Sequence, residues 1–132
     1  MPRKFIPIVL LASFLSVSAF AKGPIDVVFA ENATTAEVTG NLINMDGVRY
    51  LVAKPQNMSI SIALGSKDPG CALQVREGGT PAPVFIAATD KNVYNDQTAT
   101  AKDYKIDVYI DDQFHKLNGV CRYTLSIERK PL

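Results

Sequence analysis

Surface chemistry needs a nucleophile, a proton shuttle, a metal cluster or a phosphate cradle. The 132-residue sequence is poor in all four. It has one histidine, His115, and two cysteines, Cys71 and Cys121. Nucleophilic catalysis requires a nucleophile beside a base that a third group orients, and no Gly-x-Ser-x-Gly elbow is present. The run Asp90-Lys91-Asn92-Val93-Tyr94-Asn95-Asp96 is loosely like a calcium loop. Its sixth position is Asn95 rather than Gly, and Ala101 stands where a bidentate Glu belongs. Asp111-Asp112 with His115 suits a solvated loop better than a cation site. Gly78-Gly79 is followed by no helix signal, so it reads as a turn and not a phosphate cradle. The 13 acids permit a glycosidase pair by count. Such a pair needs a cleft and a raised carboxyl pKa, for which a chain this short has little room. The expectation is a protein that is not an enzyme and uses no cofactor and no metal.

The elements that would position any site begin after an export-like start. Met1-Pro2-Arg3-Lys4 is basic, Phe5 to Phe20 carries no charge, and Ala19-Phe20-Ala21 has small residues at the outer positions of an A-x-A site. That order is the order of a secretory signal peptide. A membrane anchor would need about 20 apolar residues. This run is shorter and is diluted by Ser13, Ser16 and Ser18. Residues 1–21 are therefore expected to be a signal peptide cleaved after Ala21, and residues 22–132 a single exported domain. Loss of Arg3 and Lys4 takes the formal charge from +1 to −1. Nothing then steers the chain toward nucleic acid or an anionic membrane. No second apolar run suggests membrane insertion.

The remaining chain has an apolar period of two, the signature of half-buried strands. Val48, Tyr50 and Val52 alternate with Arg49 and Leu51. Met58, Ile60, Ile62 and Leu64 alternate with Ser59, Ser61 and Ala63. Cys71, Leu73 and Val75 form a third row, Ile106, Val108 and Ile110 a fourth, and Cys121, Tyr123, Leu125 and Ile127 a fifth. Weaker strands read as Ile25 to Ala30, Ala36 to Ile43 and Val84 to Ala88, and Thr89 to Lys102 as a long polar connection. Turn signals separate the runs at Asp46-Gly47, Lys54 to Asn57, Lys67 to Gly70, Gly78-Gly79 and Asn118-Gly119. About eight strands at this spacing predict an all-β, antiparallel sandwich of jelly-roll or Greek-key type. Both cysteines fall on apolar rows. In an oxidising compartment an even count favours a disulfide, here Cys71–Cys121, over two buried free thiols.

Two stretches carry a more specific likeness. One runs from Val27-Val28-Phe29 through Gly40-Asn41-Leu42 and on through Tyr50-Leu51-Val52-Ala53-Lys54 to Ser59-Ile60-Ser61-Ile62. The other is Asp103-Tyr104-Lys105-Ile106-Asp107-Val108-Tyr109-Ile110, followed after a loop by Tyr123-Thr124-Leu125-Ser126-Ile127. Together they resemble the bacterial periplasmic inhibitors of g-type (goose-type) lysozyme and their small exported relatives, which in turn resemble pre-peptidase C-terminal-type β-sandwiches. There are departures. Ala53-Lys54-Pro55-Gln56-Asn57 stands where that family has Ala-Lys-x-Gly-Gln, and Ala101-Lys102-Asp103-Tyr104 where it has Ser-Gly-x-Tyr. Asp112 and Lys116 stand where it has two arginines.

The resemblance implies a non-catalytic inhibitor whose partner is a lysozyme or a related peptidoglycan hydrolase. A rigid loop would fill the enzyme's cleft with little entropy lost on docking. The residues it points to are Lys102 and Tyr104 at the start of one strand, and Phe114, His115 and Lys116 in the following loop. Phe114 would be an apolar anchor, and Lys116 the partner of a cleft carboxylate. The alternative is a passive periplasmic sandwich that binds glycan or an envelope protein, with Phe114 capping the sandwich and Lys116 solvated. The sequence leaves the oligomeric state open.

Overall fold

In a computed structural model of the chain the described residues are 23–43, 47–87, 92–111 and 119–132. Among them are nine strands and no helix: β1 (Ile25–Asp26), β2 (Thr35–Ile43), β3 (Gly47–Lys54), β4 (Met58–Ser66), β5 (Cys71–Glu77), β6 (Phe85–Ile86), β7 (Val93–Asp96), β8 (Lys102–Ile110) and β9 (Val120–Pro131). They form two sheets, one ordered β1-β3-β8-β5-β6 and the other β2-β9-β4-β7. All pairs are antiparallel except the two-residue pair β1–β3. Apart from β5–β6, each step along the chain crosses from one sheet to the other. Partners are therefore distant in sequence, and the fold depends on two matched inner faces rather than on local hairpins.

Each inner face is made by the alternation of its strands. Val48, Tyr50 and Val52 of β3, Leu73 and Val75 of β5 and Tyr104, Ile106, Val108 and Ile110 of β8 are buried from one sheet. Leu42 of β2, Ile60, Ile62 and Leu64 of β4 and Cys121, Tyr123, Leu125 and Ile127 of β9 meet them from the other. Burying one such aliphatic side chain stabilises the fold by about 1.5–3 kcal/mol. Cys71 and Cys121 are joined, with Cα atoms 5.1 Å apart. The bond links β5 in one sheet to β9 in the other.

The strand expectations need three corrections. Ile25 to Ala30 holds only a two-residue strand, because the chain makes its last bond to β3 at the Val27 amide and then crosses to the second sheet, where Phe29 lies under Arg129. Of the expected strand Val84 to Ala88, the described residues hold Phe85–Ile86, and Ala88 lies outside them. Pro81 and Pro83 lack amide hydrogens just upstream and suit no extended ladder. The polar connection Thr89 to Lys102 contains β7, which pairs with β4 from Ile60↔Asp96 to Ala63↔Val93. Its inward residues are Tyr94 and Asp96 rather than aliphatics, so apolar alternation had no purchase on it. The expected signal peptide and the Asp46-Gly47 and Asn118-Gly119 turns lie wholly or partly outside the described residues.

Two turns use the conformations their residues permit. Asn57, after Pro55, takes φ 65°, and Gly79 takes φ 86°; asparagine and glycine are the residues that enter the left-handed region at least cost. The turn after Lys54 thus closes without the glycine that the resemblance led one to expect. Gly40 serves a different purpose. A Cβ there would lie 2.4 Å from the Tyr123 hydroxyl, so only a glycine on β2 leaves room for that ring. The Tyr123 and Tyr50 hydroxyls share a 2.6 Å hydrogen bond across the core. Burial raises both phenols above the usual tyrosine range, and the Tyr50 hydroxyl raises Tyr123 further. Both therefore stay neutral.

Gly40→Ala should lower stability by about 1–3 kcal/mol through overpacking. Gly65→Ala should be nearly silent, since its Cβ would meet nothing closer than 3.8 Å. Urea unfolding of the two variants checks the contrast. Cys121→Ser should cost about 2–5 kcal/mol in the same measurement, because the bond closes a long loop in the unfolded chain.

Candidate functional site

The two ends of the sandwich differ in construction. At one end β8 finishes and β9 starts, and the stems of residues 112–118 are held by a single turn, residues 67–70. The Asp111 amide donates to the Gly70 carbonyl at 2.8 Å. Across from it, Asp68 accepts from Arg122 three times: from the backbone amide at 2.7 Å, from Nε at 3.0 Å and from Nη2 at 2.7 Å. Ser66 supports this contact, its hydroxyl donating to the Arg122 carbonyl at 2.6 Å and accepting from the Asp68 amide at 2.9 Å. The Cys71–Cys121 bond sits one residue before Arg122. The side-chain and backbone hydrogen bonds from Arg122 lower the Asp68 carboxyl from its ordinary 3.8 to about 2.

Beside this brace, the outer face of the second sheet forms an open groove of about 810 Å³. Thr39 and Asn41 of β2, Arg122 and Thr124 of β9, and Lys67 line it. These are hydroxyl, amide and cationic groups, with Gly65 keeping the floor low. The cross-strand pair Ile43 and Val120 lies exposed at the same end.

The opposite end is built around buried polar side chains. Lys54 is 1% exposed, and its ammonium donates to the carbonyls of Met58 (3.1 Å), Thr98 (2.7 Å) and Thr100. It ends the inward row Val48, Tyr50, Val52 and closes that mouth of the sandwich. Next to it Asp96 accepts from the Tyr104 hydroxyl and from both the amide and the hydroxyl of Thr98, each at 2.8 Å for Thr98. Lys102 reaches Asp96 and Glu77 at 3.2 Å each. Burial alone would raise the Asp96 carboxyl. The bonds from Tyr104, Thr98 and Lys102 outweigh it and hold the group well below the usual carboxylate range. Burial, and then the Asp96 bond, push the Tyr104 phenol far above its usual value. Tyr94 meets Tyr104 edge to face, with ring centroids 5.9 Å apart.

Of the sequence-predicted contact residues, only Lys102 and Tyr104 are among the described ones. Phe114, His115 and Lys116 lie outside the described residues, as does Asp112. Lys102 and Tyr104 stand at the far end of β8, and the eight residues between Lys102 and Asp111 set them roughly 30 Å apart along the strand. Tyr104 is 1% exposed and faces the core. β8 itself is flanked on both sides by β3 and β5, so the Ala101–Tyr104 stretch belongs to a central strand rather than a sheet edge. Lys102 is tied to two carboxylates and is not a free cation. Sequence reasoning missed Asp68, Arg122, Asp96 and Glu77. Asp68 stands within the turn signal Lys67-Asp68-Pro69-Gly70, and nothing local marks its partner 54 residues away. Among the described residues no group of three or more His, Cys, Asp or Glu is placed to hold a metal ion.

Asp68 and Asp96 are both more acidic folded than in the unfolded chain. Their bonds thus contribute stability that is complete above about pH 4 and is lost as the pH falls toward 2. Unfolding free energy measured in urea should decline over that window. Asp68→Asn should be less stable at neutral pH and lose less on acidification. An unchanged acid slope in the variant would remove Asp68 from the account.

No family model matches the chain, and no curated protein matches its sequence. Solved structures do match its shape. PliG of Aeromonas hydrophila, a periplasmic inhibitor of g-type lysozyme, superposes with a TM-score of 0.70 at 14% identity, over 81% of this chain and 96% of that one. PliG of Salmonella Typhimurium, likewise such an inhibitor, gives 0.63 at 14% identity, over 81% and 97%. A mutant of the Escherichia coli inhibitor gives 0.60 at 14% identity, over the same shares. The chain has the sandwich fold of these proteins, as the resemblance of its two stretches led one to expect.

Proposed function

We propose that this chain is an exported, non-catalytic inhibitor of a lysozyme or a related peptidoglycan hydrolase, working in the periplasm after removal of residues 1–21. The observation that carries the reading is the extent of the likeness: 96–97% of each lysozyme inhibitor is matched by one continuous sandwich. The brace at the β8–β9 end supports it. A loop that plugs a cleft must lose little entropy on docking, and here both stems of residues 112–118 are pinned by the same turn and by a disulfide. In this reading Phe114 is the apolar anchor, Lys116 faces the catalytic carboxyl group and His115 sits between them. Lys102 and Tyr104 lie at the opposite end of β8 and are not assigned to that contact in this reading. Tyr104 is a positioning residue, holding Asp96 and through it Lys102.

A second reading is favoured by the groove. Its hydroxyl, amide and guanidinium groups at Thr39, Asn41, Thr124 and Arg122 suit a sugar chain, and a non-catalytic sandwich that binds glycan or an envelope protein would use that face.

Purified residues 22–132 should inhibit at least one enzyme in a panel of lysozymes, the g-type first, at one-to-one stoichiometry. Phe114→Ala and Lys116→Glu should each raise the inhibition constant roughly 30-fold with an unchanged melting temperature. Folded protein that inhibits no enzyme in the panel but is retained on peptidoglycan would favour the second reading. Full inhibition by both variants would move the contact away from residues 112–118.

A further inference from the structure

Sheets end in edges, and three of the four edges here are short. β1 and β6 have two residues each and β7 has four. The fourth, β2, runs nine residues from Thr35 to Ile43 and pairs on one side only, with β9. Natural edge strands are blunted by lysine, proline, bulges or brevity. β2 has none of these: its register against β9 is unbroken from Thr35↔Glu128 to Ile43↔Val120, and its one charge is Glu37.

The direction of its free groups follows from one bond. The Arg129 amide donates to the Thr34 carbonyl at 2.8 Å, directly before that register begins. In an antiparallel pair, hydrogen-bonded and non-bonded residues alternate. Ala36, Val38, Gly40 and Leu42 therefore bond to β9. Thr35, Glu37, Thr39, Asn41 and Ile43 turn their amides and carbonyls to the open side, where among the described residues no strand meets them.

We propose that β2 pairs antiparallel with β2 of a second copy, across a two-fold axis at Thr39, to make a symmetric dimer with one continuous eight-stranded sheet. This register overlaps all nine residues and satisfies about ten main-chain bonds. Thr39 faces Thr39, Glu37 faces Asn41, and Thr35 faces Ile43. On the inner side Ala36 faces Leu42, and Val38 faces Gly40, which leaves the valine room. No like charges oppose each other. Sliding the axis to Glu37 would set two carboxylates face to face and shorten the overlap. A strand that is self-complementary over its whole length selects its own copy as the occupant.

Sedimentation velocity on residues 22–132, from about 1 to 500 μM, should show a monomer–dimer equilibrium. Thr39→Lys places two ammonium groups opposite each other on the axis, and Thr39→Asp two carboxylates. Either should raise the dimer dissociation constant about fivefold or more. An equimolar mixture of the two variants should restore the dimer as a heterodimer, visible by native mass spectrometry. Amide exchange should slow with concentration at Thr35, Glu37, Thr39, Asn41 and Ile43, while Ala36, Val38, Gly40 and Leu42 stay slow throughout. A wild type monomeric over the whole range overturns the proposal. So does a dimer indifferent to both Thr39 variants, failure of the mixed variants to pair, or concentration-dependent protection anywhere but on β2. None of these readouts involves inhibition of an enzyme.

Discussion

The whole molecule depends on two facing rows of side chains, Tyr104-Ile106-Val108-Ile110 on β8 and Cys121-Tyr123-Leu125-Ile127 on β9, all buried. β8 and β9 are interior strands of their sheets, and most of the other strands are placed by pairing with one of them. Because the chain switches sheet at nearly every connection, neither sheet can assemble without the other. Removing water from the two rows is what offsets the entropy of bringing sequence-distant strands together. The same arrangement makes the segment between β8 and β9 a link between the two most constrained strands.

Polar groups enter this core only with partners. The Tyr50 and Tyr123 hydroxyls satisfy one another, and Gly40 exists to make space for the second ring. The Lys54 ammonium is spent on backbone carbonyls, and Asp96 collects donors from Tyr104, Thr98 and Lys102. An unsatisfied group in any of these places would cost about 1–3 kcal/mol. They cluster at the centre and at one mouth, so that end is a sealed structural terminus. The other end carries the disulfide, the Asp68–Arg122 contact and the open groove. A division of labour follows: one end closes the sandwich, and the other presents a braced turn and an open polar groove.

That division changes how the resemblance is used. Tyr104 falls at the family's Ser-Gly-x-Tyr position, yet here its hydroxyl is occupied inside the protein by Asp96. Lys102, one of the departures from the pattern, is held by Asp96 and Glu77. A residue can match a functional motif and still be committed to holding the fold, and only its neighbours tell which. Asp68 and Arg122 belong to no motif, and they brace the end that the proposed mechanism uses.

Strand identity and facing were legible because the pleat imposes a period of two on any half-buried strand. The rows at Val48, Met58, Cys71, Ile106 and Cys121 were readable residue by residue. So was the disulfide, since both cysteines shared the rows that had to be inside. β7 was not legible, because its inward residues are Tyr94 and an ion-paired Asp96, which mimic a polar loop. Nor were the strand order, the parallel β1–β3 pair or the partners of Lys54, Asp68 and Asp96. Backbone ladders use the same amide and carbonyl groups whatever the side chain, so local sequence says that a strand forms but not which strand it joins. The sequence by itself determined an all-β sandwich with a cross-link. Only the tertiary structure decided that Tyr104 and Lys102 are committed to Asp96, because that contact joins strands of two different sheets and no local pattern says which side chains meet there.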